Sequence, residues 1–106
     1  MKLKYTSLGE LEEIVLLIIG ILDDNAYGIS IMQEIEKQVK RKISISAVHT
    51  VVTRLESKGF LKSSLGGETN ERGGRKKRFF VLTTKGKKAL EEVKQIREKL
   101  WGLLPG

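Results

Sequence analysis

The sequence predicts a mainly α domain with a small β-hairpin, and three observations lead there. Apolar residues recur at helical spacing in four segments, 11–22, 31–39, 48–55 and 89–103. Two short β-prone runs, 60–65 (FLKSSL) and 77–83 (KRFFVLT), flank a polar stretch bounded by Gly66-Gly67 and Gly73-Gly74. At 106 residues there is room for one core, near the lower end of what stands alone.

Ser7-Leu8-Gly9-Glu10 reads as a capping box opening the first helix, which runs to about Asp23. From Leu11 to Leu22 that helix is apolar almost all round, whereas a surface helix carries one stripe. It must be covered on two sides, and in so small a domain a second subunit is the expected second cover. Leu11, Val15 and Ile18 are its expected interface residues. The alternative is a central helix of a monomer, with Gly20 marking close packing.

Asp23-Asp24-Asn25 ends this helix, and Ala26-Tyr27-Gly28 starts a second that reaches about Lys40, with Ile31, Ile35 and Val39 inward. Arg41 to Ile45 is a basic connector. Ser46 then caps a third helix from Ala47 to about Lys58, and Gly59 supplies a left-handed stop. Val48, Val52 and Leu55 face the core, so His49, Thr50, Thr53 and Ser57 lie opposite, with Arg54 at the margin. These side chains are short or hydrogen-bonding. A helix with so few long charged chains can approach a surface closely, which suits seating in a DNA major groove.

In the hairpin, period-two alternation sends Phe80 and Leu82 to the core and leaves Thr83 to cap the next helix. That helix runs from about Thr84 to Leu104. Ala89, Val93, Ile96, Leu100 and Leu103 form a 4-3-4-3 seam, widened by Leu90 and Trp101. Three helices, a hairpin and a long helix are the order of a winged helix-turn-helix (1–83) followed by a C-terminal dimerisation helix (84–106).

The charge pattern gives this order a partner. Net charge is +7, but residues 1–40 balance at −3 and residues 41–106 at +10. A one-sided basic half implies an anionic partner, nucleic acid before membrane. Arg72, Arg75, Lys76, Lys77 and Arg78 place five like charges within seven residues at the hairpin tip, a poor arrangement for solubility alone. As a wing beside the third helix they would meet phosphates or the minor groove of the same duplex. The plainer alternative is a solvated charged loop.

Other classes fare worse. There is no cysteine, hence no disulfide or thiolate metal site, as suits a cytoplasmic protein. Residues 14–22 are too short to span a bilayer, which takes about 20 residues, and Glu10, Glu12 and Glu13 before them argue against a signal peptide. His49, the single histidine, has no acid or serine partner at a fixed offset, so neither an enzyme nor a metal or cofactor site is expected.

Taken with their spacing, LGELEEIVLLIIGIL, AYGISIMQEIE, SAVHTVVTRLESKGFL and GGRKKRFFVLTTKGKKAL make the chain resemble the PadR family of bacterial transcriptional regulators, in its short form with one C-terminal helix. The resemblance covers residues 8 to about 101. It implies a homodimer packed through its first and last helices, binding an inverted repeat in a promoter, usually as a repressor. DNA contacts would fall on Ser46, His49, Thr50, Thr53 and Arg54 and on the wing. Many relatives carry Tyr where His49 stands, so operator preference does not transfer. Some relatives stack planar aromatic molecules on a Trp of the last helix, between the subunits. Trp101 lies about one turn beyond that position, and closing the dimer seam is its favoured role. The remaining alternative is a winged helix that binds a protein or an RNA.

Overall fold

The computed structural model describes residues 8–68 and 76–106. Its elements run α1 (Glu10–Leu22), a 3-10 turn (Asp23–Asn25), α2 (Gly28–Val39), α3 (Ile45–Ser57), β1 (Leu61–Glu68), β2 (Lys76–Leu82) and α4 (Thr84–Leu103). The two strands form an antiparallel hairpin with Leu61 opposite Leu82 and Ser63 opposite Phe80. Helices α1, α2 and α3 enclose one core with the base of this hairpin. Leu16, Ile19, Ile31, Ile35, Val48 and Leu55 are fully buried there.

Each start and stop has a local cause, and two differ from expectation. Gly9, not Ser7, precedes α1, and its N–H donates to Glu12 Oε1 at 2.9 Å. Ser7 itself lies outside the described residues. Glu12 is drawn inward because Lys58, following α3, places its ammonium 3.1 Å from both carboxylate oxygens. The cap of α3 is Ser44, whose Oγ accepts from the Ala47 N–H at 3.1 Å. Ser46 therefore sits inside the first turn. Ile45 is the reason: it joins Val48 and Val52 on the apolar stripe, so the helix begins two residues earlier than Ser46 would set it.

Val39, expected to face inward, is exposed because α2 ends there and Lys40 turns left-handed at φ 60°. Strand β1 also runs past the Gly66-Gly67 pair expected to turn it. The Phe79 ring lies over Gly66, where any side chain would collide with it. Thr83 does cap α4, accepting from the Gly86 N–H at 3.0 Å while its hydroxyl donates to Gly59 O at 2.7 Å. Gly59, at φ +84°, makes the left-handed stop after α3.

The first turn of α4 passes so near the Phe60 backbone that a Cβ on Gly86 would overlap the Phe60 carbonyl. Gly86→Ala is thus expected to cost about 1–3 kcal/mol, read as a lower Tm in thermal melting. Ala89 is the last fully buried residue of α4, which runs on along α1 as far as Arg97 and ends in exposed turns. The Cα radius of gyration is accordingly 15.6 Å, against about 13 Å for a compact chain of this length.

The Glu12–Lys58 pair gives stability a defined acid dependence. Burial alone would push the Glu12 carboxyl up, but the Gly9 N–H and the Lys58 ammonium, with Arg54 farther off, hold it below its ordinary value of 4.5. A carboxyl lowered by folding stabilises above its unfolded value and loses that contribution as pH falls through the folded one. Thermal melts should therefore show a loss beginning below about pH 4.5. Glu12→Gln should remove this loss at a cost of about 1–3 kcal/mol near neutrality.

Candidate nucleic-acid interface

Burial of Val48, Val51, Val52 and Leu55 turns the opposite side of α3 outward. Ser46, His49, Thr50, Thr53 and Arg54 are all exposed on it, as the periodicity requires. Thr50 Oγ1 donates to the Ser46 carbonyl at 3.0 Å, so its hydroxyl is left to accept and its methyl to make apolar contact. The His49 ring lies against Gly28 at the start of α2.

The hairpin is fixed against this helix by contacts the sequence did not disclose. The Phe80 N–H donates to Ala26 O at 2.8 Å, and Tyr27 bridges to Phe79 as an extra strand-like pair. The Tyr27 and Phe79 rings meet edge to face with centroids 5.4 Å apart. Over the Tyr27 ring, at 4.1 Å, stands the Lys77 ammonium. Arg78 Nη1 donates to Ser63 Oγ at 3.0 Å, and Ser63 donates to Glu56 Oε2 at 2.7 Å. An open groove of about 690 Å³ results between the start of α2, α3 and β2. Tyr27, Ile45, His49, Thr53, Lys77 and Arg78 line it.

This arrangement brings together part of the expected site. Lys77 and Arg78 stand beside His49 and Thr53 on one groove. Lys76 begins β2, whereas Arg72 and Arg75 lie outside the described residues. Among the described residues no group of three His, Cys, Asp or Glu could hold a metal ion. No described helix is long and apolar enough to cross a membrane.

A second surface carries the residues expected at a subunit interface, with one correction. Val15 and Ile18 are 0% and 3% exposed, enclosed by the chain's own core, so they have no face left for a partner. Leu11 is half-buried against the same core. The exposed apolar side of α1 consists of Leu17 and Ile21 instead. On α4, Val93 is half-buried while Ile96, Leu100, Trp101 and Leu103 stand in the open, Trp101 at 72%. Arg97 Nη2 donates to Glu13 Oε1 at 2.7 Å and fixes α4 against α1. Leu17, Leu90 and Trp101 line a groove of about 320 Å³ between these helices.

Solved structures share this architecture. A PadR family transcription regulator from Clostridium difficile superposes with a TM-score of 0.73 at 26% identity, covering 90% of this chain and 94% of its own. A PadR-like regulator from Bacillus cereus gives 0.69 at 24%, covering 91% and 92%. A PadR-like transcription factor from Bacteroides fragilis gives 0.71 at 22%, covering 85% and 82%. No curated protein matches the chain. The family profile described as transcriptional regulator PadR-like matches residues 18–92, most of the length, from the end of α1 into α4. With its helices, its hairpin and that match in agreement, the chain belongs to the PadR-like family of transcriptional regulators, which are not enzymes.

Proposed function

We propose that the protein is a sequence-specific DNA-binding repressor that acts as a homodimer on an inverted-repeat promoter site. Residues 1–83 are its DNA-binding unit and residues 84–106 its dimerisation helix. The observation that carries this reading is the exposed face of α3. It presents His49, Thr50 and Thr53 beside a groove whose far side carries Lys77 and Arg78. Short polar side chains suit base edges, and the basic strand suits the neighbouring phosphates. The apolar residues left open on α1 and α4 support the dimer, because water contact with Leu17, Ile21, Ile96, Leu100 and Trp101 is unfavourable until something covers them. Two subunits would read half-sites about one helical turn, roughly 34 Å, apart.

Two kinds of substitution test the division of labour. Alanine at Lys76 and Lys77 should weaken every duplex alike and flatten the salt dependence. Replacing Thr50 or Arg54 should change which sequence is preferred, by about 1–3 kcal/mol where a good bidentate contact is lost. Equal behaviour of the two kinds in equilibrium binding would contradict the assignment.

Trp101 beside the α1–α4 groove keeps a second reading open, a planar aromatic ligand held at the subunit junction. Its check is the tryptophan fluorescence of the dimer titrated with planar cations, where an unchanged spectrum removes the reading.

A further inference from the structure

Arg78 is held differently from its basic neighbour. Strand alternation puts Arg78 on the β2 face that carries Phe80 and Leu82, and Lys77 on the opposite face with Phe79 and Val81. Lys77 ends in a point charge on a flexible stem, resting on the Tyr27 ring. Arg78 ends in a planar fork, and one arm of it is tied down. Its Nη1 donates to Ser63 Oγ on β1, and that hydroxyl donates onward to Glu56 Oε2 in the last turn of α3. A hydroxyl has one proton and two lone pairs, so Ser63 satisfies both partners at once. The relay thus fixes the guanidinium relative to the recognition helix itself, across the groove from His49 and Thr53.

Glu56 is otherwise hard to place. An exposed carboxylate at the end of a helix that approaches phosphates adds repulsion. Its bond to Ser63 gives it a positioning task that offsets this.

We propose that Arg78 is a specificity-determining residue that reads a guanine edge beside the bases addressed by α3, and that Ser63 and Glu56 are its positioning residues. The wing then contributes sequence readout as well as charge. This rests on the DNA-binding reading above. With one arm held by Ser63, the other donors of the guanidinium remain for a paired acceptor such as O6 and N7 of guanine. Because Arg78 shares the groove with His49 and Thr53, it enters the same major groove as α3. A fork already held in place loses less freedom on binding, and a lysine cannot reproduce its two parallel donors.

The test is selection of bound sequences from a randomised duplex library by the full-length protein, Arg78→Lys and Ser63→Ala, alongside their affinity for random duplex and their Tm. Wild type is expected to yield a consensus. Arg78→Lys should lose preference for guanine at one position in each half-site by about tenfold or more. Its affinity for random duplex should fall less than its affinity for sequences carrying that guanine, since the charge that meets phosphate is kept. Ser63→Ala should weaken the same position several-fold and leave the others intact. An unchanged Arg78→Lys consensus, or a uniform loss over all sequences, would overturn the proposal. A Ser63→Ala consensus identical to wild type would overturn the positioning role. Failure of the wild type to yield any consensus would instead sink the DNA-binding reading on which the proposal stands.

Discussion

Ile96→Glu is expected to turn the protein into a folded monomer that no longer retains its operator. Ile96 is 41% exposed on the isolated chain, so a carboxylate there leaves the subunit core untouched. In the proposed dimer the same position is covered by the partner, and two-fold symmetry introduces the charge twice. An unpaired buried charge costs about 3 kcal/mol, so two of them raise the dimer dissociation constant by roughly 10⁴. Each monomer then meets a half-site alone, without the effective concentration, of order mM, that its tethered twin supplied. Analytical ultracentrifugation should show half the mass, circular dichroism an unchanged helix content, and mobility shift no retained complex. A dimer that survives the substitution would place the interface elsewhere than α4.

The second large effect is ionic. A dimer making roughly 6–10 phosphate contacts should lose about 10³–10⁵ in affinity between 50 and 200 mM salt. The positive balance of residues 41–106 supplies enough cations for this, and Lys77 and Arg78 already border the groove. Fluorescence anisotropy with a labelled duplex would give the slope. A flat dependence would mean that the wing charge meets no backbone, which favours a protein partner instead.

How far the sequence disclosed these features depended on whether the cause was local. The stripe of Val48, Val52 and Leu55 placed α3 and its outward face because helical period alone decides both. Thr83 was readable as a cap because alternation in β2 left it free. The starts of α1 and α3 each lie two residues from where the sequence pattern places them, for a shared reason. Ser7 and Ser46 each match a cap pattern, but long-range packing chooses among matches. Lys58 pulls in Glu12, and burial of Ile45 sets the register. Ile45 was a usable signal, since it extends the apolar stripe by one turn.

The groove was less legible still. Tyr27 and Phe79 are 52 positions apart, and no period or motif predicts their edge-to-face contact. The Arg78–Ser63–Glu56 relay likewise joins three elements through one hydroxyl. On α1, an all-round apolar helix signals two covers but not which residue meets which. Val15 and Ile18 went to the chain's own core and Leu17 and Ile21 to the surface because α2, α3 and β2 pack on one side of α1.

The proposed function turns on sequence-specific DNA recognition by α3 and the wing together. Its most direct test is a mobility shift of the purified protein on the DNA upstream of its own gene, at two salt concentrations, with random duplex as competitor. The complex should survive excess random duplex and weaken steeply with salt. A complex erased by random duplex as readily as by its own sequence, or no complex at all, would contradict it.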